Sequence, residues 1–379
     1  MANPTDILGA IYARVSSSLT TPIVTSPDSA DDIEMVCRNE TNRACVRVLL
    51  ACSLAKISNP LLDIRKPYTE IGTPDSYAGR TYDQDYIQPF VMTHHLPCNP
   101  TTAWLTPALR NRNMTLTPDI NLVGRPPQIY KATLRLLTAV YENKISADDL
   151  LSETIRRLII IRDEKLLRMN TWFAKLESST GTLPLSSENI VTLMEQHLKS
   201  PNSSRLPVLV VAAAYDAAKE FLGEKALPLE RHNAADKQTG SLGDIQIALV
   251  GDDNIVTVYE MKAKRVTRND IDIALQKMHH KIDNYIIITT DEIDEQVKTY
   301  ASSVYAKTGG VELAILDCIG FIRHFLHLFH RIRINYLEAY QRLLLEEPDS
   351  AVRQPLKELF LALRIAAETA YANGENEDT

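Results

Sequence analysis

The chain has 379 residues, which is enough to bury a sizeable core and predicts two domains or one large domain with an elaboration. Its formal net charge of −7 argues against a surface that binds nucleic acid everywhere, although a local basic region can coexist with an acidic remainder. Apolar runs such as LPVLVVAAAY are much shorter than a membrane span, and the first residues lack the basic and apolar pattern of a signal peptide. We therefore expect a cytoplasmic protein with no membrane partner.

The first region, residues 1–200, is rich in helical patterns. The segment DDIEMVCRNETNRACVRVLLACSLAKI begins with acids, has apolar residues at helical spacing and contains no proline, which predicts one long amphipathic helix. Cys37, Cys45 and Cys52 lie roughly on one stripe of that helix. This spacing and the odd total of five cysteines predict reduced thiols buried in a core rather than disulfides or a metal site.

A loop-rich section with many prolines follows, from residue 59 to residue 127, and two helices around 128–142 and 147–176 close the region. His94, His95 and Cys98 have side chains that bind zinc, but no second pair at ligand spacing follows them, which disfavours a zinc site.

The same section carries basic and amide side chains able to reach a DNA groove from loops, namely Arg110, Asn111, Arg112 and Arg125. Structural pairing of these side chains with nearby acids is the alternative interpretation. The first region is therefore a candidate DNA-recognition domain.

The second region, residues 201–379, alternates helices and strands. SSRLPVLVVAAAYDAAKEFLG predicts a helix capped by serine and ended by Gly223, and two strands joined by a tight turn follow it. TRNDIDIALQKMHHKI predicts a helix capped by Thr267, then come the strand NYIIITT, a helix and the strand VELAILDC. The continuous apolar runs favour the interior of a mixed sheet flanked by helices, which is an α/β fold.

Charged residues interrupt the hairpin strands at one place. In VTVYEMKAKRVT, Glu260 and Lys262 share the face of Val258, and Asp244 begins the partner strand. Two carboxylates at one edge of a sheet suit Mg²⁺, with Mn²⁺ as a substitute, so Asp244 and Glu260 are candidate metal ligands. Lys262 would orient or help deprotonate an attacking water. The alternative is a surface salt bridge at a strand end.

The order helix, strand, strand, helix, strand, helix, strand resembles the core of the PD-(D/E)xK nuclease superfamily, with Asp244 as the first acid and Glu260-Met261-Lys262 as the E-x-K element. Where many members have Pro-Asp, this chain has Gly243-Asp244, and we expect glycine there to change only backbone freedom.

A narrower resemblance spans most of the chain. DIRKPYTEIG, DSYAGRTYD, LPCNPTTAWLTPALRN, LVGRPPQIY, GSLGDIQ and VYEMKAK are similar to segments of the SacI-type family of type II restriction endonucleases. The resemblance implies Mg²⁺-dependent cleavage of double-stranded DNA at a short palindrome, with a GAGCTC-like target. It also implies a prokaryotic cytoplasm and a cognate DNA methyltransferase that protects host DNA. Because a palindrome has two-fold symmetry, we expect a homodimer.

Basic and polar segments flank the acidic cluster and are candidate DNA contacts: Arg231, His232 and Asn233 before it, and Lys264, Arg265 and Arg268 after it. Solvated loops of mixed charge have the same composition, so that interpretation stays open.

Two other classes of function remain. One is a repair or recombination nuclease of the same fold, and the other is a non-catalytic DNA-binding protein. The sequence contains no GxxxxGK[ST] loop, so we expect no nucleotide cofactor.

Overall fold

The structure is a computed structural model that describes residues 3–40, 43–99, 102–110, 113–178, 184–229, 242–252, 254–278, 282 and 284–374. It divides into two compact units, residues 1–170 and residues 171–379. This division falls inside the long helix Ala147–Ser178 and precedes the predicted boundary at residue 200. The assignment of recognition to one region and catalysis to the other stays a prediction.

The first unit is helical where it is described. Its α-helices are α1 (Pro4–Ser16), α2 (Pro27–Arg38), α3 (Ala44–Ser58), α4 (Gly79–Tyr82), α5 (Gln88–Thr93), α6 (Pro127–Tyr141) and α7 (Ala147–Ser178), which continues into the second unit. Short 3₁₀ segments cover Thr69–Ile71 and Ala103–Leu105, and a π-helical segment covers Asp83–Ile87. Helices α6 and α7 confirm the two helices predicted around 128–142 and 147–176.

The prediction of a single long helix over DDIEMVCRNETNRACVRVLLACSLAKI is wrong, because α2 ends at Arg38 and α3 begins at Ala44. Asn39 has an extended backbone after α2. Asparagine favours such a break, since its side chain competes for backbone hydrogen bonds. Helix α3 is also buried on nearly every side rather than amphipathic.

Helix α3 carries a buried ion pair into the core of the first unit. Arg47 donates from Nε to Asp83 Oδ1 at 2.7 Å, and neither side chain is exposed. Thr102 Oγ1 and the Ala103 N–H also donate to the Asp83 carboxylate. A buried pair of charges is tolerated when its remaining hydrogen-bonding positions are filled in this way. The cysteines expected in this core, Cys37, Cys45 and Cys52, are indeed buried free thiols.

The second unit combines helices with one sheet. Its α-helices are α8 (Ser187–Leu198), α9 (Leu206–Leu222), α10 (Arg268–Met278), α11 (Glu295–Thr308), α12 (Cys318–Leu328), α13 (Arg333–Glu346) and α14 (Gln354–Gly374), with a 3₁₀ turn at His330–Ile332. Its strands are β1 (Glu224–Ala226), β2 (Ile245–Leu249), β3 (Ile255–Lys262), β4 (Asn284–Thr289) and β5 (Glu312–Asp317).

The ends of two helices test the capping predictions. Helix α9 ends at Gly223 in the left-handed conformation, as predicted, but its N-cap is Arg205 and not a serine. At the start of α10, the Thr267 N–H donates to Asp270 Oδ2 and the Asp270 N–H donates to Thr267 Oγ1, which confirms the predicted cap. Among the described residues, no helix is both long and apolar enough to cross a membrane.

The sheet is mixed, with the strand order β1-β2-β3-β4-β5. Strands β1, β2 and β3 are antiparallel neighbours, whereas β3, β4 and β5 run parallel. The hairpin of β2 and β3 and the apolar strand β4 were predicted, and the short polar strand β1 was not. Strand β5 was expected in the interior of the sheet but forms its edge, because no described strand pairs beyond it.

Helices cover both faces of the sheet. On one face, Val258 of β3 and Tyr285 of β4 share an apolar cluster with Ile271 of α10 and Val304 of α11. On the other face, the Tyr259 ring contacts residues of α9 and α12. The second unit is therefore the mixed α/β sheet with flanking helices that the sequence predicted.

A buried histidine joins three helices of the second unit. His197 of α8 is fully buried, with Nε2 2.9 Å from the Leu356 carbonyl oxygen and Nδ1 3.0 Å from the Tyr340 hydroxyl oxygen. A carbonyl only accepts, so Nε2 carries the proton and Nδ1 of the neutral ring accepts from Tyr340. Burial lowers the pKa of His197 to about 4, with the carbonyl acting in the opposite direction.

We predict that the second unit loses stability as the pH falls from about 6.5 to about 4, because the unfolded chain takes up a proton at His197 and the folded chain does not. A pKa lowered from 6.5 to about 4 corresponds to a loss of about 3 kcal/mol in the free energy of unfolding across this range. In urea unfolding across this range, the free energy of unfolding should depend less on pH for His197→Gln than for the wild type. His324→Gln, at an exposed histidine of α12, should show the same dependence on pH as the wild type. Equal slopes for His197→Gln and the wild type would contradict the assignment.

Candidate active site

The β2–β3 hairpin brings the two predicted carboxylates together. Ile245 pairs with Tyr259 in the antiparallel register, so Asp244, one residue earlier, lies across from Glu260. The Met261 N–H donates to Asp244 Oδ2 at 2.7 Å, which fixes the Asp244 side chain against β3. No extra bend is needed, because strand pairing alone juxtaposes the acids.

The glycine before Asp244 is required by space. A Cβ atom at Gly243 would lie 2.5 Å from Val258 Cγ1 and 2.8 Å from the Tyr259 carbonyl oxygen. The expectation that glycine changes only backbone freedom is therefore incomplete. Any side chain at residue 243 would push the Asp244 segment away from β3.

Three donors surround the Glu260 carboxylate. Lys262 Nζ donates to Oε1 at 2.7 Å, the Tyr285 hydroxyl lies 3.3 Å from Oε2, and Lys277 Nζ lies 3.6 Å from Oε2. The Glu260 side chain is 13% exposed and that of Lys262 is 22% exposed. This is more enclosed than an ordinary surface salt bridge, so the charges interact with little screening by water.

Asp244 has a different electrostatic environment. The residue keeps solvent access, yet the protein packed around its carboxylate raises its pKa, and the negative charge of Glu260 adds to that rise. The Met261 N–H and the Lys262 ammonium oppose it. Two carboxylates held at one place in this way favour a cation that relieves their repulsion.

The donor set suits a hard divalent cation. Within the described residues, no group of three or more His, Cys, Asp or Glu side chains is arranged to hold a metal ion. Asp244 and Glu260 are a pair, and Mg²⁺ is commonly bound by one or two carboxylates together with waters and substrate phosphate. The two side chains therefore fit this ion chemically, and their role as ligands stays a prediction.

Comparison with known families matches this part of the chain. Residues 183–290 match the SacI restriction endonuclease C-terminal domain. This segment, hereafter the SacI domain, is similar to a SacI-type restriction endonuclease domain. The matched residues include Asp244, Glu260, Lys262, Lys277 and Tyr285. No curated protein matches the chain.

The SacI domain confirms the family resemblance that was recognised from sequence, and a domain of this family points to a nuclease. The resembling segments before residue 183, such as DIRKPYTEIG, lie outside the matched range. In the structure that segment makes internal contacts: Arg65 pairs with Asp63, Lys66 pairs with Asp75, and the Arg65 guanidinium lies 3.1 Å from the centre of the Tyr141 ring. All three contacts lie within the first unit.

The candidate DNA contacts after the acidic pair have partners within the protein. Lys264 Nζ lies 3.3 Å from Asp270 Oδ1, and Arg265 lies 3.2 Å from Asp294, with the two basic side chains 65% and 60% exposed. The Arg268 guanidinium lies 5.5 Å from the centre of a tyrosine ring. Exposed ion pairs contribute little free energy, so these side chains can exchange an acid for a phosphate.

The remaining candidate contacts divide into two groups. Arg110 and Arg125 are exposed residues of the first unit, and Arg125 precedes a cis peptide bond to Pro126. The others lie outside the described residues, namely Asn111, Arg112, Arg231, His232 and Asn233. The role of every one of these residues in DNA binding stays a prediction.

The zinc alternative finds no support among the described residues. The His94 ring stacks on the Tyr12 ring at 3.7 Å between centres, and Cys98 is a free thiol. Burial raises the pKa of the Cys98 thiol to about 12.

Sequence analysis missed two residues of the site, Lys277 and Tyr285. Lys277 lies on α10 and Tyr285 on β4, and both reach Glu260 through the packing of the sheet against that helix. A signal for Tyr285 was present, since a tyrosine in an otherwise aliphatic strand brings a hydroxyl that needs a polar partner when it is buried.

We predict that Gly243→Ala destabilises the second unit by about 1–3 kcal/mol, because the new methyl group overlaps the backbone of β3. It should also lower nuclease activity by displacing Asp244. Gly9→Ala, at a helical position with open space around it, should be neutral or slightly stabilising. Urea unfolding and DNA cleavage of both variants would test this, and an unchanged Gly243→Ala protein would contradict the close approach.

Proposed function

We propose that this chain is a type II restriction endonuclease that hydrolyses phosphodiester bonds in both strands of double-stranded DNA at a short palindrome, with Mg²⁺ as its cofactor and Mn²⁺ as a substitute. The observation that carries the proposal is the pair Asp244 and Glu260, held across β2 and β3 with Lys262 beside it inside the SacI domain. The segment that matches a nuclease family also contains the side chains that suit phosphate chemistry.

The assignment to the PD-(D/E)xK superfamily belongs to this proposal. Its support is the order α9, β1, β2, β3, α10, β4, in which an antiparallel hairpin bears the acids and a helix crossover leads to a parallel strand. Fold resemblance alone does not establish an activity, so the assignment depends on the residues at the hairpin.

The residues of the hairpin have distinct roles in the proposed reaction. Asp244 and Glu260 would hold Mg²⁺, which when bound polarises the scissile phosphate and stabilises the charge that develops on it. Lys262 would position the attacking water next to the phosphorus or help to deprotonate it. Its ammonium already lies 2.7 Å from Glu260 Oε1, which orients it toward the same centre.

The proposed partners follow from the substrate. A palindrome presents two equivalent strands, and a chain with one such site needs a second copy to cut both of them in one visit, so the enzyme would act as an isologous homodimer. A cognate DNA methyltransferase would protect the host sequence. The proposed target is similar to GAGCTC, as the family resemblance implies.

We predict that the purified protein cuts unmethylated plasmid DNA into discrete fragments only when Mg²⁺ or Mn²⁺ is present, because two carboxylates repel a phosphate until a cation neutralises them. Gel electrophoresis followed by sequencing of the fragment ends would give the target and the cut position. Cutting in excess EDTA would refute the metal requirement. A product ladder that shortens from the DNA ends would instead favour a repair or recombination nuclease, and binding without any cutting would favour a non-catalytic protein.

We also predict that Lys262→Ala lowers the cleavage rate by about a hundredfold or more while specific DNA binding persists, since it removes the group that acts on water and leaves both carboxylates. Asp244→Ala and Glu260→Ala should lose cleavage through metal affinity, so higher Mn²⁺ should restore them in part. Lys277 lies on the other oxygen of Glu260 and should not replace Lys262.

Lys199→Ala is the matched control for these variants. Lys199 pairs with Glu195 at 2.7 Å, the same distance as the Lys262–Glu260 pair, but its side chain is 73% exposed at the C-cap of α8 in the SacI domain. It should cut DNA at the wild-type rate. A fully active Lys262→Ala enzyme with native circular dichroism would mean that the active site lies elsewhere.

A further inference from the structure

Glu260 is held from the side of the neighbouring strand as well as from its own. Tyr285 of β4 pairs in register with Val258 of β3, two residues before Glu260, and its hydroxyl lies 3.3 Å from Glu260 Oε2. Lys262 occupies the other carboxylate oxygen. Donors from two strands therefore restrict how the carboxylate can rotate.

The same hydroxyl lies 3.4 Å from the carbonyl oxygen of Leu242, two residues before Asp244. Neither a carbonyl nor an ionised carboxylate can donate, so Tyr285 supplies its single hydrogen to these two acceptors. Both separations are longer than an ordinary O–H···O bond, which places the hydroxyl between the acceptors rather than on one of them. Tyr285 thus contacts the segment leading to Asp244 as well as Glu260 itself.

Packing alone does not account for a tyrosine here. Its side chain is fully buried in the apolar cluster with Val258 and Ile287, where phenylalanine would fill the same volume. A buried hydroxyl lowers stability unless it has polar partners, and this hydroxyl has partners in both acid-bearing segments, at Leu242 and at Glu260.

We propose that Tyr285 is a positioning residue for the metal site: its hydroxyl orients the Glu260 carboxylate and holds the Leu242–Asp244 segment, so that both carboxylates reach one divalent cation. This inference rests on the proposed metal-dependent function. Groups that orient metal ligands commonly change metal affinity by 10–100-fold when they are removed, although they never touch the ion.

The test compares two tyrosine-to-phenylalanine variants. Tyr285→Phe removes the hydroxyl near Glu260. Tyr259→Phe removes a buried hydroxyl on the other face of β3, where it lies 3.0 Å from the Tyr215 hydroxyl. Binding of Mn²⁺ alone, followed by the loss of the free-ion electron paramagnetic resonance signal, should weaken by about tenfold in Tyr285→Phe and stay unchanged in Tyr259→Phe.

Cleavage should follow the same pattern. The Mg²⁺ concentration for half-maximal cleavage should rise by about tenfold in Tyr285→Phe, with much of the rate recovered at saturating Mg²⁺. In urea unfolding, Tyr285→Phe combined with Glu260→Gln should destabilise less than the sum of the two single changes, because the two groups act on each other.

The outcomes separate this inference from the proposed function. Wild-type Mn²⁺ affinity in Tyr285→Phe would overturn the positioning role and leave the nuclease proposal standing. A wild type that binds Mn²⁺ but does not cut DNA would refute the nuclease proposal, while the affinity difference would still support Tyr285. A wild type that binds no Mn²⁺ would refute both, and loss of cooperative unfolding in Tyr285→Phe would make the hydroxyl a structural group of the core.

Discussion

The register between β2 and β3 is the constraint on which the candidate site depends. Ile245 pairs with Tyr259, and successive side chains of a strand point to opposite faces, so a shift of one residue would move Glu260 and Lys262 to the other face of the sheet. The close approach of Gly243 to the backbone of Tyr259 holds this register at the end that bears Asp244. The irregularity in the pairing falls between Ile247 and Ala248, away from the acids.

The positive groups around Asp244 and Glu260 are distributed unevenly between the two acids. Two carboxylates, Asp244 and Glu260, face two ammonium groups, Lys262 and Lys277, and both lysines contact the same acid. Asp244 receives a backbone N–H in place of a direct lysine contact. Desolvation by the surrounding protein raises the pKa of Asp244 and the charge of Glu260 adds to the rise, so a cation beside these two carboxylates would relieve their repulsion.

The buried ion pair of α3 and the ion pair of the β2–β3 hairpin differ in solvent access. In the first unit Arg47 and Asp83 are sealed in the core, and Arg65 and Lys66 are engaged with neighbouring acids. Removing one partner of a fully buried ion pair is strongly destabilising, because the other charge is left buried without compensation. At the β2–β3 hairpin, the side chains of Lys262 and Glu260 keep partial solvent access.

The sequence by itself determined the hairpin, the alternation that puts Glu260 and Lys262 on one face and the cap at Thr267. These features depend on neighbouring residues, whose spacing is visible in the chain. The break between α2 and α3, the edge position of β5 and the contacts of Lys277 and Tyr285 with Glu260 were decided by the tertiary structure. Parallel pairing of β3 with β4 and packing of α10 against them bring together residues that are distant in sequence. Such contacts depend on the packing of the whole core, which no local sequence pattern predicts.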